Sequence, residues 1–230
     1  HHHRERKRTA GRRGAPATRP RVNEQPREDH RVQCIATDLP GLTIIDPKVF
    51  GDARGFFMES FHQQHFLEHG LDFHVRQANH ARSQAVHVLR GLHFQHPPKA
   101  QAKLVRVTRG RVLDVAVDLR RGSPTYGQWV SVELSAENRR QLYIPAGFAH
   151  GLHVLEAATF VYKCSNPYRP EHERGVAYDD PDLAIDWGLA PGERPTLSAR
   201  DEQLPKLADL APTDLPLFAD DAAADAEGAS

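Results

Sequence analysis

The chain of 230 residues has little cysteine, a single methionine and no long apolar run. Its two cysteines, Cys34 and Cys164, lie far apart in sequence. That excludes a disulfide framework and points to a reducing compartment, so a cytoplasmic location is expected. No stretch approaches the roughly 18 apolar residues of a membrane span, and no signal-peptide core is present, so no membrane partner is expected. P-loop, GxGxxG and CxxC motifs are absent, as is any internal repeat. Net charge is absent too, with 30 Lys plus Arg against 30 Asp plus Glu.

That balance hides an asymmetry. The first 31 residues are rich in arginine and almost free of large apolar side chains. Such a segment cannot bury enough surface to offset chain entropy, so residues 1–32 are expected to form a disordered basic arm. Prolines and glycines interrupt the arm, and no helical face or interleaved aromatic supports nucleic-acid binding. The acidic, alanine-rich end predicts a loose tail over 211–230. Hydrophobic residues at 39% suffice for one core, placed in a domain over 33–210.

Within that domain the pattern is mostly strand. In RVLDVAVDL, Leu113, Val115, Val117 and Leu119 point one way, and Asp114, Ala116 and Asp118 the other. The preceding KLVRV is expected to join it through a turn at Gly110. QWVSVEL, QLYIP, HGLHVL and TFVYKCS predict further short strands, and QQHFLEH predicts a helix over 63–69. Many short strands with Gly/Pro/Asn turns suggest a sandwich or a barrel, mainly β with a few short helices.

Three polar residues sit where apolar ones are expected. Lys103 shares a face with Val105 and Val107, Tyr162 with Phe160 and Cys164, and His93 with Leu89 and Gly91. If those faces line one interior, a base, a cation and a phenol meet in a single cavity. Tyrosines often pack in cores with the hydroxyl satisfied, whereas lysines are almost never buried without a partner. His93 by itself reads equally as a base or as a core histidine. IPAGFAH, with Pro145, Gly147 and His150, resembles the second motif of cupin barrels, whose histidine often binds metal. The first cupin motif normally supplies two histidines and a glutamate. Here it offers only His93, and Lys103 takes the glutamate position. An ammonium repels a divalent cation and two imidazoles do not complete a site, so no metal is expected. A cation in that place suits an anion formed during reaction, such as an enolate.

Blocks of the sequence carry a resemblance that covers residues 38–205 in uninterrupted order. They read DARGFFMES, RQANHARS, VLRGLHFQHPPKAQAKLVRV, RVLDVAVDLRRGSPTYGQWV, LSAENRRQLYIPAGFAHGLHVL, VYKCSNPYRPEHERG and LSARD. Together they resemble the dTDP-4-dehydrorhamnose 3,5-epimerase family. The resemblance implies a cupin-type double-stranded β-helix, or jelly-roll, barrel. It also implies an isomerase of dTDP-rhamnose and deoxysugar biosynthesis that needs no cofactor.

Carried over residue by residue, His93 is the base, Asp201 orients it, Lys103 stabilises the enolate and Tyr162 returns a proton from the opposite face. Substrate contacts fall on Arg54, Glu59, Gln77, Ala78, Asn79, Arg90, His150, Tyr168, Glu173 and Arg200. Arg90 meets the diphosphate, and Tyr168 stacks on the thymine. The implied substrate is dTDP-4-dehydro-6-deoxy-D-glucose, and the implied assembly is a homodimer whose Arg54 block enters the neighbour's site. The chain departs from the pattern in places. The usual Q-D-N reads Gln77-Ala78-Asn79, the segment before Arg90 gains His87, and His150-Gly151-Leu152 is followed by His153. Relatives that invert only carbon 3 or carbon 5 share the constellation. A monofunctional 3- or 5-epimerase, a non-catalytic sugar-nucleotide-binding cupin and a metal-dependent cupin oxygenase therefore stand as alternatives.

Overall fold

The computed structural model describes residues 32–218. All of the basic arm expected over 1–32 except Val32, and most of the acidic tail expected over 211–230, lie outside the described residues. Eleven strands and one α-helix follow in order: β1 Gln33–Ala36, β2 Thr43–Asp46, β3 Val49–Asp52, β4 Gly55–Met58, α1 Gln63–Glu68, β5 Gln77–Ser83, β6 Leu89–Gln95, β7 Lys103–Asp118, β8 Trp129–Ser135, β9 Gln141–Ile144, β10 Phe148–Cys164 and β11 Glu173–Gly175. Short 3-10 turns occur at Pro170–His172, Asp201–Gln203, Leu207–Asp209 and Pro212–Asp214. The described residues are mainly β, as expected, and every pairing between these strands is antiparallel.

Two long strands carry the architecture. β7 and β10 pair along their whole lengths, from Phe148 opposite Asp118 to Cys164 opposite Lys103. Each then serves two different neighbours. The first half of β7 pairs with β9 and its second half with β8. The first half of β10 pairs with β6 and its last half with β5. The ladder thus runs through both sheets of a cupin-type jelly-roll barrel, with β1 and β2 extending one sheet beyond β9 and β11 extending the other beyond β6.

The corner is at Gly110. This residue does not close a hairpin, as the sequence suggested; KLVRV and RVLDVAVDL are one continuous strand. Gly110 has φ +73°, and a Cβ there would lie 2.2 Å from the Ala157 carbonyl oxygen, so only glycine fits. Across this bulge β10 uses one residue more than β7, between Val154–Val112 and Phe160–Val107. The bulge reverses the alternation of β7. Val105 and Val107 face the barrel interior before it, and Val112 and Ala116 after it. HGLHVL and TFVYKCS likewise fuse into β10.

Both faces of β7 are buried. The interior cluster includes Val105, Val107, Leu142, Leu152 and Phe160. A second cluster, with Leu89, Val115, Val117 and Ala149, lies outside the barrel wall beneath the C-terminal segment of Val176, Leu183, Trp187 and Leu215. A third packs α1, through Phe66, against Phe73, Leu104 and Tyr143. The C-terminal segment stays attached beyond residue 210. Leu215 is buried, Arg174 pairs with Asp214 at 2.8 Å, and the Arg121 N–H donates to the Pro216 carbonyl at 2.8 Å.

Candidate active site

The barrel interior holds a cavity of about 590 Å³, open at one end. Strand alternation delivers its polar residues. On β7 and β10, Lys103 lies opposite Cys164 and Tyr162 opposite Val105, so Lys103 and Tyr162 are diagonal neighbours on one inward face. His93 enters from β6 in the other sheet, where it pairs with His150 of β10. Gly91 permits that approach: its φ is +108°, and a Cβ would lie 2.6 Å from the His150 carbonyl oxygen.

His93 is held between two carboxylates. Its Nε2 lies 2.7 Å from Asp201 Oδ1, and its Nδ1 lies 3.4 Å from Glu173 Oε1. Both are close contacts that become ion pairs only when the imidazole is protonated. Asp201 is buried at the start of its 3-10 turn, where its N–H donates to Ser198 Oγ at 3.1 Å. Burial pushes the Asp201 carboxyl up, but His93, Ser198 and the Gly91 N–H more than offset this and leave it below its ordinary value. It is therefore a carboxylate at neutral pH, able to orient the imidazole and stabilise its protonated form.

Lys103 makes no ion pair with any described residue. Burial drives its pKa down, only partly offset by Cys164, Glu173 and Asp114. Burial pushes the Tyr162 phenol up, with Cys164 and Glu173 adding to the rise and Arg90 and Asn79 opposing it. It keeps its proton at neutral pH.

A polar belt rims the mouth. The Tyr168 hydroxyl donates to Glu173 Oε2 at 2.5 Å, and Arg200 pairs with the same oxygen. The Tyr168 N–H donates to Gln77 Oε1 at 2.8 Å, and Gln77 donates to Asn79 Oδ1 at 2.9 Å. Arg90 donates to Ser83 Oγ at 3.2 Å. Of the residues singled out from sequence, three lie elsewhere in the chain. Arg54 is on the β3–β4 hairpin, paired with Asp52 and exposed. Glu59 contacts His65. Ala78 is exposed on the outer face of β5, because alternation turns Gln77 and Asn79 inward and Ala78 away.

The cavity donors do not fit a cupin metal. The carboxylates near His93 flank opposite ring nitrogens, His150 Nε2 is taken by both Asp114 oxygens at 2.9 and 3.0 Å, and Lys103 adds a like charge. What the cavity offers instead is an imidazole backed by a carboxylate, a lysine with no ion-pair partner among the described residues and a protonated phenol.

A family model described as dTDP-4-dehydrorhamnose 3,5-epimerase matches residues 36–209. The dTDP-4-dehydrorhamnose 3,5-epimerase of Pseudomonas aeruginosa is 55% identical over 175 residues, covering 74% of this chain and 93% of its own. The chain belongs to the dTDP-4-dehydrorhamnose 3,5-epimerase family. Solved members superpose closely. The dTDP-6-deoxy-D-glucose-3,5-epimerase of Legionella pneumophila, in complex with dTDP-4-keto-L-rhamnose, has a TM-score of 0.78 at 49% identity, covering 82% of this chain and 99% of that one. A 3'-monoepimerase of Streptomyces bikiniensis, in complex with dTDP-quinovose, has a TM-score of 0.77 at 36% identity, covering 84% and 98%.

For this epimerase-family chain, sequence reasoning missed two buried residues, one behind the cavity wall and one lining it. Asp114 is fully buried and holds His150. Its signal was an acid on the inward side of β7, masked because the bulge hides which side that is. Cys164 lines the cavity beside Lys103 and accepts a 3.8 Å contact from Asn79 Nδ2. It carried no signal beyond its strand register.

Proposed function

We propose that this chain inverts carbon 3 and carbon 5 of dTDP-4-dehydro-6-deoxy-D-glucose, giving dTDP-4-dehydro-L-rhamnose. Both carbons neighbour the C4 ketone, so loss of either proton leaves a resonance-stabilised enolate. The ring nitrogen of His93 not held by Asp201 takes the proton, and the C–H electron pair moves into the enolate with its charge on O4. Lys103 stabilises that oxygen, an electrostatic contribution that grows as charge develops. Tyr162 donates a proton to the opposite face of the carbon, completing inversion. The observation that carries this reading is the pairing of a carboxylate-backed imidazole on one sheet with an unneutralised lysine and a protonated tyrosine on the other.

Substrate binding is assigned to the mouth. Arg90 meets the diphosphate with its guanidinium fork, Tyr168 stacks on thymine, and Gln77, Asn79, His150, Glu173 and Arg200 complete the contacts. Arg54 and Glu59 contribute to the cavity of a second copy in a homodimer, and Ala78 contributes only backbone. Two exposed phenylalanines on the β3–β4 hairpin, Phe56 and Phe57, at 56% and 67% exposure, support such an interface. The location is cytoplasmic, and no helix among the described residues is long and apolar enough to cross a membrane.

The likeness to a monoepimerase gives a second reading, inversion of one carbon only. Proton NMR of the product distinguishes the two. Coupling constants showing inverted configuration at both carbons are expected. Inversion at one carbon alone would replace the proposal with the second reading. An unchanged sugar would favour a non-catalytic binding protein.

A further inference from the structure

We propose that Glu59, His62 and His65 form a surface site for a divalent transition metal, with zinc as the best match. The three residues follow β4 and open α1. His62 is the N-cap, in extended conformation at φ −145° and ψ 113°, and His65 stands three residues on, in the first turns of the helix. That spacing puts both imidazoles on one side of the helix start, with ring centroids 4.0 Å apart. Glu59 closes the group, its Oε1 lying 2.7 Å from His65 Nδ1. One donor atom from each residue lies within 4.8 Å of the other two.

These distances suit an ion. Metal–ligand bonds of about 2.0–2.1 Å place tetrahedral ligands roughly 3.3 Å apart, so closure needs shifts of about 1.5 Å, within reach of side-chain rotation. Binding replaces the hydrogen bond between Glu59 and His65, with the imidazole in the tautomer that leaves Nδ1 free for the ion. The backbone beneath is fixed. Phe61 packs edge-on against Phe66 and Phe73, at 5.0 and 5.7 Å, and Gln141 Nε2 donates to the Ser60 carbonyl at 2.9 Å. Two imidazoles and one carboxylate favour zinc, cobalt or nickel over magnesium or calcium, which prefer all-oxygen shells. His62 is exposed while Glu59 and His65 are half-buried, so the fourth position faces solvent and takes water. None of the three lines this chain's own barrel cavity; the site does not require the proposed epimerase activity, and in the proposed homodimer zinc competes with the second copy's substrate for Glu59.

The test is calorimetric titration of the full chain with zinc, repeated with cobalt to read the visible d–d absorption of a low-coordinate site. The histidines at the chain start chelate metal on their own account, so the comparison is with His62→Ala and with Glu59→Gln. His62 is exposed, and its replacement leaves the fold intact. One zinc per chain is expected at this site, with affinity falling roughly a hundredfold or more in either variant and loss of the cobalt absorption. Equal zinc affinity and an equal cobalt spectrum in the wild-type chain and both variants would overturn the proposal, as would absence of binding in the wild-type chain.

Discussion

Replacing Lys103 by methionine sets stability against chemistry. The lysine is half-buried and desolvation depresses its pKa, so the folded chain binds that proton less readily than the unfolded one. Stability contributed at this position therefore rises with pH between the depressed value and the ordinary lysine value of about 10.4. Lys103→Met removes the partly desolvated amine. Its melting temperature is expected to rise, by the equivalent of about 1 kcal/mol, and the pH dependence in that window to flatten. Turnover is expected to fall by about 10²–10³, because the enolate loses its cation. Thermal melts across pH and steady-state rates check both. Tyr162→Phe keeps proton abstraction and removes the donor on the other face. Deuterium should then enter the substrate with its configuration retained, at near wild-type exchange but with little inverted product. At this scale His93, Lys103 and Tyr162 were legible because each is a polar residue in an apolar alternation. Asp201 was legible only through its block, since nothing in a polar loop marks an aspartate as a histidine's partner. Arg54 and Glu59 were legible as a motif, but their place in one chain is away from the cavity.

The elements hold the sheets at a fixed offset. Gly110 turns β7 from one sheet into the other, and its position against Ala157 leaves no room for a side chain. Gly110→Ala is expected to cost more than about 1 kcal/mol and to lower activity with it, because Lys103 lies before the bulge and Asp114 after it. A denaturant midpoint and a rate measured on the same preparation check this. At the far end of β7, Asp118 is fully buried. It accepts from Arg120 Nε at 2.9 Å, Ser123 Oγ at 2.5 Å and Thr125 Oγ1 at 2.7 Å. Burial pushes this carboxyl up, and the donors together bring it below the ordinary range. Its contribution is thus complete above about pH 3.9 and is lost as pH falls through the depressed value. Asp118→Asn should destabilise by about 3–5 kcal/mol near neutral pH, with the deficit shrinking in acid, as urea unfolding at two pH values would show. Strand existence was legible from period 2. The fusion of four segments into β7 and β10 was not, because a one-residue bulge looks like a turn in sequence and because β7 is buried on both faces.

The described residues form a barrel whose outer wall is covered by the C-terminal segment. Val32 is buried beside Phe66 and Phe73, so a truncation retaining activity should begin at or before Val32 rather than at Gln33. Residues 211–218 add Leu215 to the outer core, and Arg120 lies over the Phe218 ring at 4.8 Å. A chain ending at 218 should match the full chain in urea, whereas one ending at 210 should lose about 2 kcal/mol of stability. Composition made the core and the charged ends legible. It gave no sign that the first residues of the tail would pack.

The central claim is that His93 removes the proton from carbons 3 and 5. The most direct measurement is deuterium uptake at those carbons of dTDP-4-dehydro-6-deoxy-D-glucose in deuterated water, comparing the wild-type chain with His93→Asn shown to be folded by circular dichroism. The wild-type chain should exchange and invert both positions, and His93→Asn should slow exchange at both by about 10²–10⁴. Exchange by His93→Asn at the wild-type rate would contradict the assignment of His93 as the base.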